Sequence, residues 1–136
     1  MNVQLICLIS LLFCNSQDTL QLPIKNGKIV PITPGVERLN KAVIISPTND
    51  KRIRSCFDGK VLVAGRDEWG YHIVVSTDSI IIIYSDVDSI LVNNNQNIKK
   101  GDVIGYKIDF KDNEPYLMFS VFIREQEVDA RKYLVH

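Results

Sequence analysis

Metal-binding or nucleophilic chemistry in this chain would have to come from few residues. They are His72 and His136, the cysteines Cys7, Cys14 and Cys56, and the Asp-x-Asp pair Asp86 and Asp88. His72 lies in an alternating β-type run, where it reads as a half-exposed structural side chain or as a functional one. Cys56, followed by Phe57-Asp58-Gly59, reads as a small buried strand residue, because a reactive thiolate needs an imidazole or cation close by. Asp86 and Asp88 could hold a cation, yet calcium takes about six to eight oxygens, so a solvated turn is the simpler reading. Trp69 and Tyr71 lie at a Gly-flanked loop and either stack on a sugar or a partner or fold back onto a sheet. Lys51, Arg52 and Arg54 read as a solvated strand edge.

The elements that must position these residues are strands. Asn97–Gly105 reads Asn-Ile-Lys-Lys-Gly-Asp-Val-Ile-Gly. This is a strand end, a Gly-Asp turn and a return strand, and it predicts a hinge that folds one half of a β-domain onto the other. Strands are predicted at Ala42–Ser46, Arg52–Cys56, Lys60–Ala64, His72–Ser76, Ile80–Tyr84 and Leu117–Ile123. Gly65–Gly70 is expected to be a polar loop, and Thr77-Asp78-Ser79 a hairpin turn. Ile80–Ile83 is an unbroken isoleucine run, which predicts a strand covered on both faces. Asn93–Asn97 suits left-handed backbone positions. Helical periodicity is missing except for one closing turn at Asp129–Leu134. The fold class expected is all-β, a sandwich or small barrel.

Totals bound the rest. A length of 136 residues with 46% hydrophobic and 24% charged residues fits one globular domain. Lys+Arg 16 against Asp+Glu 16 gives no electrostatic case for nucleic acid or an anionic membrane surface. Met1–Ser16 is uncharged, and Leu5–Phe13 is apolar but for Ser10. That stretch is too short to span a bilayer and fits a signal peptide over residues 1–16, with cleavage after Ser16 or lipidation at Cys14. Export to the periplasm or the exterior is the expectation. Removing such a leader takes Cys7 and Cys14 and leaves Cys56 without a disulfide partner. Residues 17–38, with Pro23, Pro31 and Pro34, read as an extended lead-in lying along a domain that occupies residues 39–136.

The order of motifs is familiar. Phe57-Asp58-Gly59-Lys60-Val61 comes first, then Gly70-Tyr71-His72-Ile73-Val74 and Ile83-Tyr84-Ser85-Asp86-Val87. Ile98-Lys99-Lys100-Gly101-Asp102-Val103-Ile104-Gly105 and Pro115-Tyr116-Leu117-Met118-Phe119-Ser120-Val121 follow, closed by Val128-Asp129-Ala130 and Tyr133-Leu134. From Asn40 to Leu134 this resembles the lysostaphin-type, LytM-like zinc endopeptidases that cut peptidoglycan cross-bridges. The resemblance implies a sheet-rich duplicated hybrid motif with a groove across one face. It also implies site positions, and these are altered. The family's His-x-x-x-Asp ligand motif falls on Asn40 and Ile44, and the ligand of its His-Leu-His strand on Met118. The two catalytic histidines fall on Asp86 and Tyr116.

A hydrolytic zinc needs about three fixed N, S or O ligands and an open position for a water. Ile44 has no donor atom, Asn40 offers a neutral oxygen, and the Met118 thioether is a soft ligand. The domain is therefore expected to be inactive as a zinc peptidase, with the metal lost. Strand alternation puts Leu117, Phe119, Val121 and Ile123 on a core face and turns Tyr116, Met118 and Ser120 to the former metal side. Those side chains either fill the void or still bind a peptide or glycan, with Trp69 and Tyr71 as further contacts. The function expected is a cell-wall-binding or regulatory module whose partner is peptidoglycan or a cell-wall enzyme. The alternatives are a hydrolase using other residues, such as Asp86 and Tyr116 as base and acid, and a purely structural envelope subunit. A biotinyl or lipoyl carrier shares the Lys-Lys-Gly-Asp turn, but Lys99 and Lys100 lie in the wrong turn for it.

Overall fold

A computed structural model describes residues 20–30, 41–47, 49–68, 70–107 and 116–135. The strands among them are β1 (Leu20–Gln21), β2 (Lys28–Val30), β3 (Val43–Ser46), β4 (Arg52–Arg54), β5 (Gly59–Asp67), β6 (Gly70–Thr77) and β7 (Ile80–Val87). They continue with β8 (Ser89–Ile90), β9 (Asn97–Ile98), β10 (Val103–Tyr106), β11 (Leu117–Ile123), β12 (Gln126–Val128) and β13 (Leu134–Val135). A 3-10 turn at Ala130–Lys132 precedes β13, and the Asp129 carboxylate caps it by accepting the Arg131 N–H. The chain is all-β, as its turn density and β-branched runs predict.

An eight-stranded antiparallel sheet runs β2-β3-β11-β7-β6-β5-β9, with β12 also paired to β11. Strands β3 and β12 share one side of β11 end to end: β3 takes Leu117–Phe119 and β12 takes Val121–Ile123. A second sheet runs β4-β10-β8, and β1 lies parallel to β13. The described part of the lead-in supplies β1 and β2 and buries Leu20, Leu22 and Ile24.

The Lys-Lys-Gly-Asp turn hands the chain from one sheet to the other. Strand β9 before it pairs with β5, while β10 after it pairs with β4 and β8. Gly101 takes the left-handed backbone (φ 90°) that the turn requires. The Asp102 carboxylate accepts the Lys99 N–H at 2.9 Å, and the Asp58 carboxylate accepts the Lys100 N–H at 2.8 Å. Gly101 N–H donates to the Ser55 carbonyl and Ser55 N–H to the Asp102 carbonyl, each at 2.9 Å. The turn is thus clamped to the bend at Ser55–Asp58. Gly105 then lets β10 approach β8, since a Cβ there would lie 2.5 Å from the Ser89 carbonyl oxygen.

The core lies on one face of the large sheet. Register places Phe119, Tyr84, Ile73 and Ala64 in one row and Val121, Ile82, Val75 and Val61 in the next. All but Ala64 are buried, and full burial of each large aliphatic side chain contributes about 1.5–3 kcal/mol. The Tyr84 and Phe119 rings meet edge to face, centroids 5.5 Å apart.

Several strand readings change. Gly65, Arg66 and Asp67 are the end of β5; their polarity suggested a loop, but the ladder to β6 runs to Asp67↔Gly70. Thr77 pairs with Ile80, so the turn holds only Asp78 and Ser79. Cys56 is buried but sits in a bend after β4. Ile80, Ile82 and Tyr84 are buried while Ile81 and Ile83 are only half-buried. The isoleucine run therefore has one core face and one open face among the described residues, and β-branching reflects strand preference there as much as burial.

Candidate functional site

The open face of the large sheet contains the positions of interest, because β11 alternates as its sequence requires. Leu117, Phe119 and Val121 are buried, while Met118 and Ser120 are half-buried on the opposite face. Tyr116, half-buried, directly precedes β11. Met118 pairs with Ile44 of β3 on one side and with Ser85 of β7 on the other. Ser85 in turn pairs with His72, and His72 with Gly65. One row thus reads Ile44, Met118, Ser85, His72. The next reads Ser120, Ile83, Val74, Val63. The face is neutral and largely apolar. Asn40 and Trp69 lie outside the described residues.

This donor set does not fit zinc. Ile44 and Met118, side by side, contribute a hydrocarbon and a thioether. His72 stands two strands from Met118, the backbones roughly 10 Å apart, and is not one of the ligand positions that the resemblance implies. The His72 Nδ1 instead lies 3.4 Å from the Asp67 carboxylate. Among the described residues, no group of three His, Cys, Asp or Glu side chains could hold a metal ion.

Tyr71 is exposed, one residue before His72, and the Arg66 guanidinium stands 5.6 Å from its ring centre. Arg66 and Tyr71 are also register partners at the end of the β5–β6 hairpin. Arg52 is exposed and forms a two-bond pair with Asp50 (2.9 and 2.8 Å), which holds the Asp50 carboxyl below the usual carboxylate range. Arg54 donates to the Gly101 carbonyl at 2.8 Å, so the basic run at β4 is partly a clamp on the turn. Cys56 is buried, and burial pushes its thiol up from 9.0 to about 12, away from the thiolate form.

Asp86 and Asp88 do not form a solvated turn. Tyr71 pairs with Val87 and His72 with Ser85, so Asp86 is the extra residue of a β-bulge, with a left-handed φ of 63°. Lys107, just beyond β10, is buried. Its Nζ donates to the Asp86 carbonyl at 2.5 Å and lies 3.6 Å from Asp88 Oδ2. Nothing in the sequence singles Lys107 out; a lysine closing a strand reads as solvent-facing, and its partners are Asp86 in β7 of the large sheet and Asp88 in the bend between β7 and β8.

The sequence pattern of peptidase family M23 matches residues 38–130. None of the curated proteins matches the chain. Among solved structures, a zinc-containing peptidase from Vibrio cholerae superposes with TM-score 0.66 at 23% identity, over 82% of this chain and 39% of that one. Lysostaphin from Staphylococcus simulans gives 0.62 at 17% identity, over 78% of this chain and 48% of that one. A chain of the SpoIIQ-SpoIIIAH pore forming complex gives 0.68 at 14% identity, over 87% of this chain and 92% of that one. The chain thus spans less than half of the two peptidases and nearly all of the complex's chain, and at these identities the likeness concerns the fold.

Proposed function

Because the chain belongs to peptidase family M23, we propose that it is a catalytically inactive member acting in the bacterial envelope. It binds cell-wall material, or regulates a cell-wall enzyme, through the face that carries Tyr116, Met118 and Ser120. The observation that carries this reading is the pairing of Ile44 with Met118. At positions where the resemblance expects metal ligands, the sheet presents two side chains that cannot hold a hydrolytic zinc. The scaffold around them is intact, and the face is neutral, so recognition rests on shape, apolar contact and the hydroxyls of Tyr116 and Ser120. Tyr71, with Arg66 beside it, is exposed on the side of β6 opposite His72, so it offers an aromatic surface suited to a sugar ring that is separate from this face.

Zinc is not a cofactor of this chain on this reading. The apolar leader at residues 1–16 supports export, by cleavage after Ser16 or by a lipid on Cys14, with residues 39–136 as the family domain. No helix among the described residues is long and apolar enough to cross a membrane. The likeness to a chain of a pore forming complex favours a protein partner as the second form of the same reading.

Co-sedimentation of the full chain with purified peptidoglycan sacculi, with and without zinc, tests the proposal. Zinc-independent pelleting that weakens in Tyr116→Ala is expected. No pelleting in either condition would overturn wall binding at this face and leave the protein partner.

A further inference from the structure

We propose that Lys107 is a positioning residue for the groove face: it holds the Asp86 bulge, which fixes where Ser85 and, across the ladder, Met118 stand. Its effect on ligand binding rests on the groove reading above; its effect on Met118 does not.

Three observations carry the assignment. First, the bulge at Asp86 is left-handed at a non-glycine residue. Few side chains accept that conformation, Asp and Asn best among them, and bulges serve to re-aim side chains beside functional sites. Second, a bulge takes a carbonyl out of the regular ladder, and the Lys107 ammonium donates to that of Asp86 at 2.5 Å. The ammonium is buried, with the Asp88 carboxylate 3.6 Å away. A charge withdrawn from water is tolerated only when paired and hydrogen-bonded, so the cation, the carbonyl and the carboxylate form one interdependent unit. Third, both ends of the unit are anchored. Lys107 N–H donates to the Lys51 carbonyl at 2.8 Å and Asp88 N–H to the Tyr106 carbonyl at 3.0 Å. The smaller sheet thereby sets the backbone at the end of β7, where Ser85 faces Met118.

The chain contains two methionines, Met1 and Met118, so a methyl-labelled full chain gives a simple spectrum in which Met118→Leu identifies the groove signal. In Lys107→Leu the Met118 methyl resonance is expected to move, and sacculus binding to weaken about tenfold, the scale of one lost charge-assisted hydrogen bond. Asp86→Gly in that background accepts the left-handed backbone unaided and should return the resonance and the binding towards wild type. Should Lys107→Leu fail to fold, Asp88→Asn, which removes only the carboxylate charge, should move the Met118 signal in the same direction by a smaller amount. A Met118 resonance unmoved by these changes overturns the proposal. So does a shift that Asp86→Gly leaves uncorrected, since Lys107 would then serve stability alone. A wild-type chain that ignores sacculi retires groove binding to the wall, while the Met118 signal still decides the role of Lys107.

Discussion

Replacing Tyr84 by phenylalanine removes a single buried oxygen, and the structure sets the size of the consequence. The Tyr84 hydroxyl oxygen accepts the Cys56 N–H at 3.1 Å, and both residues are buried. The phenylalanine ring would keep its place and its edge-to-face contact with Phe119, so packing changes little. The change orphans a backbone N–H, which costs about 1–3 kcal/mol when buried, and also takes the hydroxyl away from the Cys56 and Ser55 side chains that share it. Sparing the desolvation of the phenol offsets part of this, for a net loss of about 1–2 kcal/mol. For a chain of this length that is a fall in Tm of about 3–8 °C. Urea titration should show a lower midpoint with an unchanged slope. An unchanged midpoint would refute the reasoning, because it would mean that the Cys56 N–H finds another acceptor or that the bend at residues 55–58 is not held by Tyr84.

The β11–β12 hairpin turns through Arg124 and Glu125, both at positive φ (51° and 67°), a geometry that favours Asn-Gly. Arg124→Asn with Glu125→Gly should therefore raise stability by about 0.5–2 kcal/mol in the same titration; a loss would show that the native side chains hold the turn. The Cys56 thiol stays protonated in the folded state up to about 12, while the unfolded thiol ionises near its ordinary 9.0. The unfolded state then binds fewer protons, so this contribution is fully present below pH 9 and is lost as pH rises towards 12. Cys56→Ala should flatten the alkaline decline of the urea midpoint; an unaltered decline would place its origin elsewhere.

Much of this was legible because strands impose a period of two. The alternation in Tyr116–Ile123 separates Leu117, Phe119 and Val121 from Met118 and Ser120, and the Lys-Lys-Gly-Asp turn announces itself through Gly101. Composition misled where the ladder overrides it. Gly65–Asp67 is polar yet paired, and Ile81 and Ile83 are apolar yet half-open. The bulge at Asp86 was illegible, since it arises from a register shift against Tyr71 and His72 that local sequence does not encode. Lys107 was missed for a similar reason: Asp86 belongs to the other sheet and Asp88 to the bend that leaves it, and local sequence ties neither to Lys107. The adjacency of Ile44 and Met118 followed from the family resemblance, and the register gives it a physical basis.

In the function proposed above, this M23 fold binds without cutting. Its most direct test is the release of soluble fragments from purified sacculi by the full chain loaded with zinc. No release is expected, with the protein itself recovered in the pellet. Release that disappears in Met118→Ala would contradict it, because the residue assigned to an emptied metal position would then be serving a reaction.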